Sequence, residues 1–258
     1  MKQLRVLIFI IIFSTINLFA KEKTLHFNTQ EFPPFNYSFN KKAAGPIVEI
    51  INHVCKKIEI KCVHRVLPWR RAQKEVRLGL ADALYVIGKN KSRESWLHFS
   101  LPILTTEYGF FVLKLNQLSY KDISDVQGYN IGVYGPSNTS DSLNKIGVKL
   151  VQKGLSPIDI TMSYDDVLSF KMLNKKTRNL QSVYSNKDVG NKIIKNYNLN
   201  NLKYLGTHKT LNYYIGFSKS TVSKEIVSQF NNILAQMYQN KELQTFLAQY
   251  NLKSATLK

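Results

Sequence analysis

Along the chain the apolar positions change period several times, and each change marks an element. KTLHFN (23–28) alternates polar and apolar residues and predicts a short strand. After a run of turn residues, Pro46 is followed by Ile47, Ile50, Ile51, Val54 and Ile58. That spacing lines one face of a helix, with proline in the first turn where its missing N–H costs nothing. CVHRVL (62–67) predicts a strand, WRRAQKEVRLGL (69–80) an amphipathic helix ending near Gly79, and DALYVIG (82–88) a buried strand. Strands alternating with helices are the mark of parallel α/β layering.

The second half repeats the theme. Asn130–Tyr134 predicts a strand, Gly135 and Pro136 a turn, and the next helix carries Ser137, Asn138, Thr139 and Ser140 in its first turn. KLVQKG (149–154), SYDDVLSFKMLNKK (163–176) and LQSVYS (180–185) predict strand, helix, strand. LNYYIGFSK (211–219) is a last strand, followed by a helix with Val222, Ile226, Val227, Phe230, Ile233, Leu234 and Met237 on one face.

The first twenty residues change the picture. MKQLRVLIFIIIFSTINLFA has a basic start, an apolar run from Val6 to Ile16 and a small residue at its end. This pattern predicts a secretory signal peptide over 1–20, because the run is shorter than the roughly 20 residues of a spanning helix. The net charge of +19 suits anionic surfaces and ligands, but the lysines are spread along the chain with no arginine-rich block for nucleic acid. An exported chain meets an oxidising compartment, which favours a bridge between its two cysteines, Cys55 and Cys62. Zinc is the alternative, and although His53 and His64 lie near, no CxxC or HxxxH spacing occurs. Closing so short a loop is worth about 2.5 kcal/mol, a local staple.

Three stretches carry a resemblance: EFPPFNYSFNKKAAGPIVEIINHVCKKIEIKCVHRVLPW (31–69), GKNKSRESWLHFSLPI (88–103) and DVQGYNIGVYGPSNTSDSL (125–143). In this order they resemble the family 3 periplasmic solute-binding proteins, the receptors of polar amino-acid ABC importers. The resemblance implies a two-lobe α/β fold, the type II periplasmic binding protein fold, with the ligand cleft between the lobes. Lobe 1 would comprise 21–113 plus 208–258 and lobe 2 residues 114–207, closing over the ligand by hinge motion. It further implies a soluble periplasmic monomer that takes a small carboxylate-bearing ligand and docks on the transmembrane subunits of an ABC permease. No cofactor, metal or nucleic acid is expected.

By the same resemblance Arg93 grips the ligand's α-carboxylate, a task for which the guanidinium fork is well shaped. Trp69 and Phe32 fall where aromatic faces sandwich the ligand. Ser137, Asn138 and Thr139 open a helix, whose free N–H groups and hydroxyls can cradle an anion. Each has a plainer reading: a solvated loop arginine, core aromatics, simple N-capping. Asn186 stands where many members place an aspartate that pairs with the ligand's α-ammonium, and an amide brings no charge to that task. Gly88-Lys89-Asn90 also departs from the small hydroxyl residues usual there. Together these features favour an anionic or neutral ligand over a dibasic one. A second class of function is an enzyme on the same fold, acting on a carboxylated ring as dehydratases do, and a third is a sensory module for a separate receptor. Catalysis would need a cleft acid or histidine with a shifted pKa. Glu31 is the acid the sequence places near the cleft, the five histidines show no pairing with a nucleophile, and no catalytic residue is assigned.

Overall fold

Residues 23–257 are described by a computed structural model, and the signal peptide expected over 1–20 lies outside them. The first part of the chain forms β1 (Thr24–Thr29), a hairpin of β2 (Tyr37–Phe39) and β3 (Lys42–Ala44), α1 (Pro46–Lys57), β4 (Lys61–Val66), α2 (Trp69–Arg77) and β5 (Ala83–Gly88). A short α3 (Lys91–Glu94) and β6 (Leu97–Phe99) lead into the ten-residue β7 (Leu104–Leu113). Then come β8 (Asn130–Tyr134), α4 (Asn138–Gln152), β9 (Asp159–Ser163), α5 (Asp166–Asn174), β10 (Ser182–Asn186) and α6 (Lys187–Asn196). The chain returns through the 17-residue β11 (Leu202–Ser218) and finishes with α7 (Lys224–Gln239), α8 (Glu242–Ala248) and β12 (Lys253–Ser254).

The main sheet runs in the order β4-β1-β5-β11-β7-β10-β8-β9. At each end lies a parallel set, β4-β1-β5 on one side and β10-β8-β9 on the other. Between them β7 and β11 pair antiparallel along nearly their whole length, Leu202 opposite Leu113 and Tyr213 opposite Leu104. The result is two α/β lobes with the long pair passing through both. At Gly109 the two strands approach so closely that a Cβ would overlap the Gly206 carbonyl oxygen and the Tyr204 hydroxyl. Only glycine fits there, and the ladder shifts register on both sides of that point.

Most predicted elements form because apolar faces at the expected period are buried. On α1 Ile47, Ile50, Ile51 and Val54 are all buried, and Cys55 is joined to Cys62 across the turn into β4. One expectation is corrected: KLVQKG is not a strand but the last turns of α4. Leu143, Ile146 and Leu150 keep helical spacing and are fully buried, and Gly154 at φ 71° ends the run. The strand of that unit is β9, ten residues later. Beside the main core, Ala72, Val76, Leu84, Ile87 and Leu97 form a small apolar cluster under α2 that includes Trp69. That cluster holds the tryptophan at the lobe edge.

Candidate functional site

The carboxyl ends of β1, β5 and β8 and the first turn of α4 converge between the lobes, the usual place for a ligand on parallel strands. They enclose an inner cavity of about 30 Å³, lined by Phe32, Trp69, Arg93, Ser137, Asn138 and Thr139 together with Gln30, Val86, Gly88, Tyr108, Tyr134 and Tyr213. Six of the seven candidate ligand-binding residues are thereby brought together.

Arg93 does not lie in a solvated loop. Asn90 accepts its backbone N–H at 2.9 Å and caps α3, turning the side chain inward until only 9% of the residue is exposed. Its Nη1 donates to the Gly88 carbonyl at 2.8 Å, and the guanidinium sits 5.8 Å from the Trp69 ring centroid. Among the described residues no carboxylate oxygen lies within 4 Å of it. Burial lowers the guanidinium pKa from its ordinary range, but an arginine stays charged regardless. Asp141 acts on it from beyond contact distance, and a desolvated cation without a close counter-charge is costly and becomes favourable when an anion arrives. The Gly88 carbonyl owes its position to an irregularity in β5. Val86 adopts φ 56° where the β5–β11 register breaks between Tyr214 and Ile215, a strained state for a β-branched residue at the cleft wall.

At the start of α4 the capping and ligand readings coexist. Ser137 Oγ accepts the N–H groups of Thr139 and Ser140 at 3.1 and 3.2 Å, and Ser140 Oγ accepts that of Ser137 at 2.8 Å. Ser137 is thus the cap, while Asn138 and Thr139 turn to the cavity. The Thr139 side chain hydrogen-bonds Tyr108, whose hydroxyl pairs with that of Tyr213 at 3.1 Å to form the back wall. The lobes touch at two points beside the cavity: Asn90 Nδ2 donates to Asn138 Oδ1 at 3.1 Å, and the Tyr134 hydroxyl donates to Gln30 Oε1 at 3.4 Å.

Asn186 is the residue the fold does not bring to the cavity surface. It is fully buried behind Tyr213, its Nδ2 donating to Thr106 Oγ1 at 2.9 Å and to the Tyr213 hydroxyl at 3.3 Å. Its Oδ1 caps α6 by accepting the N–H groups of Asp188 and Val189. Asp188 does not replace it, since its carboxylate accepts the Thr106 hydroxyl at 2.6 Å.

Larger cavities of about 480 and 640 Å³ flank the inner one, and Trp69 lines all three. The first is cationic, with Arg70, Lys74, Arg77 and Arg93 against one acid, Asp141. The second is acidic, with Glu31, Asp165 and Asp166 against one cation, Lys192. Arg71 instead pairs with Glu75 at 2.9 Å on the outer face of α2. Asp166 was not singled out from the sequence. Asp165 does cap α5, at 2.9 Å from Val167 N, but Asp166 turns toward the cleft and accepts Ser185 Oγ at 3.0 Å. Burial is the main reason its carboxyl is pushed up to about 6, with Asp165 adding to the shift. The five histidines line none of these cavities, and the described residues contain no group of three metal-ligating side chains. No described helix is long and apolar enough to cross a membrane.

Comparison with known proteins agrees with this geometry. Residues 26–253 match the family model described as bacterial extracellular solute-binding proteins, family 3. A histidine kinase sensor domain with similarity to periplasmic binding proteins superposes with a TM-score of 0.79 at 15% identity, covering 91% of this chain and 99% of its own. A structure reported for glutathione import via GshT and the cystine ABC importer TcyBC of Streptococcus mutans gives 0.76 at 19% identity, covering 89% and 95%. An ancestral arginine-binding protein bound to arginine gives 0.75 at 20%, covering 89% and 98%. No curated protein matches the chain in sequence.

Proposed function

The chain belongs to family 3 of the bacterial extracellular solute-binding proteins, and we propose that it captures a small carboxylate-bearing solute, an amino acid or a relative of one, in the cleft between its lobes. The observation that carries this reading is Arg93: a buried cation at the inner cavity, with no carboxylate of the described residues within 4 Å. A ligand carboxylate would take the place of the missing counter-charge, with Thr139 and Tyr108 as further hydrogen-bonding groups. Trp69 and Phe32 would close on the rest of the ligand. The contacts Asn90–Asn138 and Gln30–Tyr134 cross the cavity mouth, so entry requires them to part and closure remakes them. Ligand contacts to both sides would shift the lobes toward the closed form, the state that an ABC permease would recognise. On this reading the lobes are 21–113 with 208–258 and 114–207, and residues 1–20 direct export to the periplasm.

A sensory role is the second reading, supported by the likeness to a kinase sensor domain. It uses the same cleft and differs only in what the closed form docks against. An enzyme would need more than the raised acid at Asp166, and the family and the structural neighbours are binding proteins. Conversion of a bound cyclic acid to product would favour the enzyme over the receptor.

The test is thermal melting of residues 21–258, refolded to strip carried-over ligand, against amino acids, small carboxylates and peptides. A ligand at a thousandfold excess over Kd stabilises by about 4 kcal/mol, which moves the melt by several degrees. A shift by a carboxylate that is absent in Arg93→Ala supports capture. No shift with any carboxylate would remove it.

A further inference from the structure

Outside the ligand cleft, a cavity of about 460 Å³ opens between α4 and β11, beginning at Ser142, one turn of α4 beyond Thr139. Ile146 and Val148 give it apolar lining, and its charged lining is all of one sign: Lys145 and Lys149 from α4, Lys209 from β11. Among the described residues no carboxylate oxygen lies within 4 Å of these three ammonium groups. A solvated helix face would account for the two lysines of α4, but not for what β11 does. Neighbouring residues of a regular strand point to opposite faces, yet His208 and Lys209 both line the cavity, at the place where the ladder shifts register between Thr207 and Lys209. Lys209 is held with its ammonium 5.6 Å from the Tyr108 ring centroid. His208 is anchored through Nδ1, 2.7 Å from the Tyr184 hydroxyl, which in turn lies 3.1 Å from that of Ser142. Burial, then Lys209 and Lys149, lower its pKa to about 4, so the ring is neutral at pH 7. A neutral ring that accepts from Tyr184 at Nδ1 carries its proton on Nε2, where it can donate to a ligand. Burial and then Lys145 lower the pKa of Lys209. Positive charge thus converges beside apolar lining, a cost that a bound anion relieves.

We propose that the cavity between α4 and β11 is a second binding site, distinct from the cleft, for a monoanion with an apolar body, the class of medium-chain aliphatic carboxylates. The carboxylate lies among Lys145, Lys149, Lys209 and the Nε2–H of His208, and the hydrocarbon lies against Ile146 and Val148. Both halves of the ligand are needed: a small inorganic anion leaves the apolar lining wet, and a neutral apolar solute leaves the lysines without a counter-charge. The volume is that of a small-molecule site. The site also backs onto the wall of the inner cavity. Lys209 stands opposite Tyr108 in the β7–β11 ladder, and the Tyr108 and Tyr184 rings meet edge to face at 6.1 Å.

The test is calorimetric titration with octanoate, with acetate, which keeps the charge, and with octylamine, which keeps the hydrocarbon. It is run on the refolded wild type and on Arg93→Ala, whose cleft no longer offers its guanidinium to a carboxylate. The expected result is that Arg93→Ala still binds one octanoate per chain and takes acetate and octylamine at least roughly tenfold more weakly. Adding Lys145→Gln and Lys209→Gln, both at exposed positions, weakens octanoate roughly tenfold or more with the melting temperature unchanged, and Val148→Asp does the same by charge repulsion. Octanoate that fails to bind Arg93→Ala but binds the wild type sits in the cleft, and the second site is overturned. It is overturned equally if the lysine and Val148 variants keep full affinity, if acetate binds as well as octanoate, or if phosphatidylglycerol vesicles bind while free octanoate does not, which would mark a membrane-facing surface. None of these outcomes bears on carboxylate capture at Arg93.

Discussion

Arg93 and Asp166 lie on opposite sides of the cleft, and each carries its charge against local solvation. For Asp166 the consequence is a pH-dependent cost. Its carboxyl titrates near 4 in an unfolded chain and at about 6 in the folded one, so folding favours the protonated form. The stability this contributes is fully present below about pH 4 and is lost as pH rises through 6. Asp166→Asn cannot ionise, and its ligand-free form should therefore melt higher than the wild type at pH 7.5, by up to about 2 kcal/mol, with the difference gone at pH 4. Melting curves at the two pH values check this, and identical offsets at both would show that Asp166 is not held against ionisation. Arg93 was legible in the sequence because a motif fixed its place, although nothing in KNKSRES announces that Asn90 folds the turn inward. Asp166 was not legible, because a pair of acids before an apolar run looks the same whether both cap the helix or one faces a cleft. The amide at 186 was seen as a departure, but only the fold shows where its hydrogen bonds go.

Among the elements, the parallel strand-helix units could be read because alternating and helical periods are distinct. β1, α1, β4, α2, β5 and β8 stand within a residue or two of their expected bounds. The sequence was least informative for β7 and the first half of β11. GFFVL is a continuous apolar run with no period to tell strand from helix, and LKYLGTHKT mixes polar and apolar residues because both lobes flank it. KLVQKG misled for a related reason: six residues are too few to separate a helix end from a strand. The crossing of β7 and β11 has its own test. A methyl group at Gly109 would meet the Gly206 backbone and the Tyr204 ring, neither of which can retreat without breaking the ladder. Gly109→Ala should lower the urea midpoint by an amount equivalent to about 2 kcal/mol or more. An unchanged midpoint would mean that the two strands can separate there at little cost.

For the whole molecule, the two lobes share one long strand pair and, among the described residues, meet again across the cleft through Asn90–Asn138 and Gln30–Tyr134. The six candidates that line the inner cavity come from both sides of the cleft, with Asp166 on the acidic flank beside them. The two flanks differ in polarity, basic beside α2 and acidic beside α5. The Cys55–Cys62 bridge lies at the far end of α1 and trims a turn without entering the cleft. Everything functional thus depends on whether Arg93 receives a carboxylate. The direct measurement is calorimetric titration of refolded wild type and Arg93→Ala with the panel member that shifts the melt most. Carboxylate capture predicts one ligand per chain and an affinity reduced roughly a hundredfold or more in Arg93→Ala. Equal affinity in the two proteins would contradict it.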